Sequence, residues 1–251
     1  MSAPAATRAS TEAPAMTAGR VLLLHGLGGS GRTWWRLSRE LTAAGWSVSA
    51  PDLRGHGDGP RGGSARHDAY ADDALARGPF DLVVGHSLGG AVAVRAAARE
   101  SGWAGRLALL DPVLRLAPEQ RAAVRAGELA GLAVSAEELA VAQPLWDERD
   151  RAEKLAAVRD ADPSAVAATI DDNDPWDLLA DLPGLRPPVL VLAGDPQVET
   201  LLPPSLAALV LRANPRIRYA VVAGAGHSPH RDRPEETLAM LREWAESRAT
   251  A

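Results

Sequence analysis

The chain contains no cysteine. Disulfides, thiolate catalysis and cysteine-ligated metal sites are therefore excluded. No apolar run approaches the ~20 residues that a membrane span needs. There is also no basic run, and the formal net charge is -5, so nothing points to nucleic acid or to an anionic membrane surface. Residues 1–19 are rich in Ala, Thr, Ser and Pro without periodicity. They lack the apolar core of about 7–15 residues that a signal peptide carries, and a disordered tail is expected there. No internal repeat is visible. What is present is 251 residues, 46% hydrophobic and 24% charged, enough for one globular domain with a full core. The simplest expectation is a soluble cytoplasmic protein, a monomer or homodimer, with residues 20–251 as one domain.

Short apolar runs alternate with helical patterns along most of that domain. Arg20 to Leu24, Trp46 to Ala50, Phe80 to Val84 and Arg106 to Leu110 read as strands, followed later by Pro188 to Ala193 and Ile217 to Val222. Near-continuous apolar runs of this kind suit strands covered on both faces. Helices are expected over Thr33 to Ala44 with Thr33 as cap, Arg66 to Ala76, Ala91 to about Glu100, Pro203 to Arg212 and Pro234 to Ser247,. The alternation predicts βαβ units and an α/β fold with a mostly parallel, doubly wound sheet. Between 112 and 185 the rhythm breaks into an Ala-, Arg- and Glu-rich stretch with no strand candidate. It predicts a helical cap inserted over the C-terminal edge of the sheet. The acidic run Asp171 to Asp174 within it reads as a solvated loop, and no metal site is expected.

The chemistry centres on Gly85-His86-Ser87-Leu88-Gly89-Gly90. It lies between a strand candidate and a helix candidate, the context that a G-x-S-x-G nucleophile elbow requires. The glycines permit a turn too tight for side chains, which holds the serine hydroxyl clear of the backbone. A serine hydroxyl needs a base, and the base needs an orienting acid. Among six histidines, His227 follows the last strand in a glycine loop, at the same sheet edge as Ser87; His230 is its close rival. Asp195 ends the strand Val189 to Ala193 at that edge and is the first candidate for the acid. Asp111, which ends an earlier strand, and Glu199, four residues beyond Asp195, stand as alternatives. A tetrahedral oxyanion needs preorganised donors, and the backbone N–H groups of Leu27 and Leu88 are the candidates.

His25-Gly26-Leu27-Gly28-Gly29, Asp52-Leu53-Arg54-Gly55-His56-Gly57, the Ser87 elbow, Leu110-Asp111-Pro112 and Gly224-Ala225-Gly226-His227 together resemble the α/β-hydrolase superfamily. The likeness runs from about Arg20 to the end of the chain. It is greatest to the cofactor-free serine esterase and C–C-bond hydrolase branch, with a helical cap between the sixth and seventh strands. The resemblance implies no cofactor and no metal. It also implies that the Asp52 to Gly57 loop is structural, as Asp111 is in most branches. The chain order Ser87, Asp195, His227 matches that superfamily. Two features depart from it. The stretch before Arg20 does not read as the first two strands, so six are expected, and the acid position three residues after the loop glycine holds Gln197. A serine at the elbow argues against epoxide hydrolases and haloalkane dehalogenases, which use a carboxylate there.

The implied activity is cleavage of a small carboxylic ester through Ser87, His227 and Asp195. Thioester, lactone or C–C-bond cleavage and perhydrolysis are alternatives on the same residues. A non-catalytic ligand-binding role is the alternative of a different class. Trp34, Trp35, Trp146 and Trp176 are candidates for lining the substrate pocket, against a simpler role in core or cap packing.

Overall fold

The structure is a computed structural model that describes residues 19–246. The expected tail, up to residue 18, lies outside the described residues. Six strands form one parallel sheet: β1 (Arg20–Leu24), β2 (Ser47–Ser49), β3 (Leu82–His86), β4 (Leu107–Leu110), β7 (Val189–Ala193) and β8 (Ile217–Val221), in the order β2-β1-β3-β4-β7-β8. The α/β class and the doubly wound parallel sheet are as expected.

Burial explains why these runs become strands. Along β1, Leu22 and Leu24 face one hydrophobic cluster while Val21 and Leu23 face the other. This is the period-two alternation of a strand with both faces covered. One face is covered by α2 (His67–Leu75), α3 (Leu88–Arg99) and α8 (Pro204–Ala213), through residues such as Tyr70, Val92 and Val210. The other is covered by α1 (Trp35–Ala43) and α10 (Pro234–Glu246), through Leu37, Leu41 and Trp244. The expected helix over Thr33 to Ala44 is divided: Gly31–Trp34 is a 3-10 turn and the α-helix begins at Trp35. Thr33 caps no helix; its hydroxyl donates to the Ser30 carbonyl at 2.6 Å.

The chain leaves β1 toward β2 on one side and returns to β3 on the other, so β1 and β3 flank the point where the winding direction reverses. The loops leaving two such strands diverge, and ligands bind in the resulting crevice at the C-terminal ends. Here those loops are His25–Gly29 and the turn at Ser87.

Between β4 and β7 the chain forms the cap: α4 (Pro118–Gly131), α5 (Ala136–Ala142), α6 (Glu148–Asp160) and α7 (Pro163–Asp171). Contrary to the expectation of no strand there, β5 (Arg115–Leu116) and β6 (Trp176–Asp177) pair antiparallel at its base. Two-residue strands carry no periodicity that a sequence could display. The acidic run is taken up by cations of the cap, with Asp171 paired to Arg125 and Asp174 to Arg121. No cluster able to hold a metal ion is found among the described residues. Among them, too, no helix is long and apolar enough to cross a membrane.

Candidate active site

Ser87 sits between β3 and α3 with φ 52° and ψ -116°. A positive φ is strained for a residue with a Cβ and persists only where the surroundings enforce it. Two glycines allow the turn. A Cβ on Gly85 would lie 2.4 Å from the Gly89 carbonyl oxygen, and one on Gly89 would lie 2.1 Å from that of Leu24. Neither backbone oxygen can swing away as a flexible side chain would. Gly89→Ala is accordingly expected to destabilise the protein by at least about 2 kcal/mol, read as a lower urea midpoint; an unchanged midpoint would contradict the tight packing described.

Among the described residues only one other non-glycine has a positive φ: Asp111, at 40°. It follows β4 directly, is 0% exposed, and points its carboxylate at His227. The Asp111 Oδ2 lies 2.6 Å from His227 Nδ1. The rest of that carboxylate is fully engaged. Oδ1 accepts the Gly194 N–H at 3.1 Å and the Thr200 hydroxyl, and Oδ2 also accepts the Leu201 N–H at 2.9 Å. Buried carboxylates require this kind of satisfaction. Because Asp111 accepts at Nδ1, the His227 proton sits there and Nε2 is left as the basic nitrogen.

The expectation that Asp195 orients His227 is therefore corrected. Asp195 accepts the Gln197 N–H at 2.9 Å and the Gly224 N–H at 2.8 Å, and these two amides hold its carboxyl below the usual carboxylate range. It ties the β7 loop to the loop that carries His227 and does not meet the imidazole. Glu199 is exposed at the cavity rim. His230 stacks on Trp34 with centroids 4.6 Å apart and is not the base of the pair.

Ser87 and His227 open into one cavity of about 500 Å³, lined also by Leu27, Trp146, Lys154 and Arg231. Of the four tryptophans expected at the pocket, only Trp146 lines it; its Nε1 donates to Asp232 at 2.7 Å. Trp34 is buried in the core. Trp35 pins the cap instead, donating to Asp150 at 2.7 Å and stacked by Arg36 and Arg149. Trp176 donates to the Val113 carbonyl at 2.8 Å at the base of the cap.

The loop carrying Leu27 is held by histidines that motif reading passed over. His25 Nε2 accepts the Leu53 N–H at 2.9 Å, so its Nδ1–H donates to the Gly26 carbonyl at 2.8 Å. His56 Nε2 accepts the Gly28 N–H at 3.0 Å while Nδ1–H donates to the Arg54 carbonyl at 2.9 Å. Burial holds both imidazoles neutral, His56 down to about 4. From the cap, Lys154 Nζ donates to the Gly28 carbonyl at 2.9 Å. His86 donates Nε2–H to the His227 carbonyl at 2.8 Å and steadies that backbone from below. The Leu88 N–H belongs to the first turn of α3, where amides have no intrahelical partner. A signal for His25 and His56 was present in the sequence, each being followed by glycine in a loop beyond a strand, but not for their partners.

A sequence model described as the alpha/beta hydrolase family matches residues 21–240. The pimeloyl-[acyl-carrier protein] methyl ester esterase of Aromatoleum aromaticum is 30% identical over 243 residues, covering 88% of this chain and 96% of that protein. Lipase LipV of Mycobacterium tuberculosis is 41% identical over 103 residues, which span 39% of this chain and 38% of the lipase. Among solved structures, E-2-(acetamidomethylene)succinate hydrolase superposes with a TM-score of 0.79 at 25% identity, over 90% of this chain and 91% of that one.

Proposed function

The chain belongs to the α/β-hydrolase family, and from that premise we propose that it is a serine hydrolase that cleaves a small carboxylic ester through Ser87, His227 and Asp111. The observation that carries this reading is the 2.6 Å contact between His227 Nδ1 and a buried, fully bonded Asp111. His227 lines the same cavity as Ser87, a serine on a strained turn. A ligand-binding protein has no need of an imidazole whose tautomer is fixed with its basic nitrogen free. The esterase relative of similar length supports an ester over the other acyl substrates.

In this mechanism Ser87 Oγ attacks the ester carbonyl as His227 Nε2 takes its proton. Asp111 stabilises the imidazolium without itself being protonated. The N–H groups of Leu27 and Leu88 donate to the oxyanion, each such donor contributing a factor of about 10²–10³. His227 returns the proton to the departing alcohol. A water deprotonated by His227 then attacks the acyl-enzyme, and the acid leaves as Ser87 regains its proton.

The test is intact-protein mass spectrometry after a fluorophosphonate probe. One adduct per chain on Ser87 is expected, and none with Ser87→Ala, together with loss of ester turnover. A folded protein that takes no label and turns over no ester would move the non-catalytic reading ahead.

A further inference from the structure

A guanidinium offers five donors and is costly to bury without acceptors. Arg231, on α9 (Pro229–Asp232), is only 6% exposed and lines the cavity that holds Ser87. Its plane stacks on Trp146, 4.6 Å from the ring centroid. Its buried Nε has no hydrogen-bond partner, and no carboxylate lies within ion-pair distance of it among the described residues. The acids around it are engaged elsewhere. Asp232 accepts from Trp146 Nε1 and the Gly226 N–H, and Asp150 accepts from Trp35 Nε1 and meets Arg36.

A second cation lines the same cavity. Lys154 spends one donor on the Gly28 carbonyl and has no carboxylate within ion-pair distance among the described residues. Burial pushes the Arg231 guanidinium down to about 10, against the pull of Asp150 and Asp232. Burial also pushes the Lys154 ammonium down to about 8, with Glu128 opposing and Arg231 adding repulsion. Both remain cationic at neutral pH. The acids on the wall are Glu128, whose carboxyl burial pushes up, the engaged Asp232, and Glu199, which is exposed at the rim.

We propose that Arg231, with Lys154 beside it, forms an anion-binding subsite of the substrate cavity, so that the substrate carries a carboxylate besides the bond that is cleaved. The proposal rests on the reading of this cavity as the ester site and narrows its substrate class to hemiesters of dicarboxylic acids. Trp146 stacks on the guanidinium, whose planar set of donors matches the two-point geometry of a carboxylate. An incoming anion would supply the acceptors that Arg231 lacks and relieve its repulsion with Lys154.

The probe is glutarate, titrated calorimetrically into the full chain at pH 7, with glutaramide as the neutral control of equal length. Saturable glutarate binding is expected, weakened about 10- to 100-fold in Arg231→Gln and less in Arg231→Lys. In the unaltered protein, glutarate should slow fluorophosphonate labelling of Ser87 while glutaramide does not, which keeps the test valid if Arg231→Gln fails to fold. No saturable binding, equal protection by the two compounds, or undiminished binding in Arg231→Gln would each overturn the subsite. The ester reading fails separately. If Ser87 takes no label while glutarate still binds through Arg231, the subsite stands and the esterase does not.

Discussion

Asp111→Asn is expected to lower kcat by about four orders of magnitude with little change in KM. The carboxylate does two things for His227: it holds the proton on Nδ1 and it stabilises the imidazolium formed when Ser87 is deprotonated. An amide at that position removes the charge. Its single oxygen keeps the two Oδ1 donors, the Gly194 N–H and the Thr200 hydroxyl, so the NH2 group takes the Oδ2 place against His227 and the Leu201 N–H. An N–H donor there selects the wrong tautomer and leaves Nε2 protonated, unable to act as a base. Asp195→Asn makes the comparison sharp, because its carboxylate meets only the Gln197 and Gly224 amides. Its kcat is expected to stay within about tenfold of the parent, since it alters loop anchoring and not the proton path. Steady-state kinetics on a soluble ester, with circular dichroism as a folding control, would decide it. A larger loss in Asp195→Asn than in Asp111→Asn would return the acid to Asp195.

The second large effect is acid unfolding. His25, His56, His67, His86 and His230 all have pKa values lowered chiefly by burial, His56 and His67 to about 4. The unfolded chain would titrate these groups near 6.5. Between about pH 6.5 and 4 it therefore binds protons that the folded chain refuses, so stability is whole above this window and falls as the pH drops through it. A lowering to about 4 corresponds to roughly 3 kcal/mol for each of His56 and His67 by pH 4. Glu128, Asp181 and Asp232, pushed up by burial, act in the opposite sense. His56 and His67 alone are large against a total stability of about 5–15 kcal/mol for a domain of ordinary size. Urea midpoints should fall steeply from pH 7.5 to pH 5, and equal midpoints would refute the buried neutral histidines. Activity should fall with stability. A protonated His25 or His56 would set a donor against the Leu53 or Gly28 N–H and release the loop that carries Leu27.

The α/β class, the six parallel strands and the elbow were all legible in the sequence, because each leaves a local pattern of residues in the chain. Apolar runs such as Val21 to Leu24 declare a strand buried on both faces. Gly85 and Gly89 declare a turn that no side chain would allow, and Ser87 follows from them. His227 was legible for a related reason: a glycine loop directly after the last strand must open at the sheet edge that carries the elbow.

The acid was decided only in three dimensions. Asp111 and Asp195 each follow one of two adjacent parallel strands, β4 and β7, so both carboxylates emerge at the same edge and the chain order admits either. The choice fell to backbone amides, most of them distant in sequence. Those of Gln197 and Gly224 take Asp195 into the loop frame, while those of Gly194 and Leu201, with the Thr200 hydroxyl, hold Asp111 toward His227. The tryptophans were settled in the same way. Trp34, Trp35 and Trp176 differ from Trp146 in no local pattern, and only the packing of cap on sheet sends three of them to structural partners. Burial and hydrogen-bond satisfaction over separations of 29 to 116 residues leave no periodicity in the chain, so tertiary structure alone assigns them.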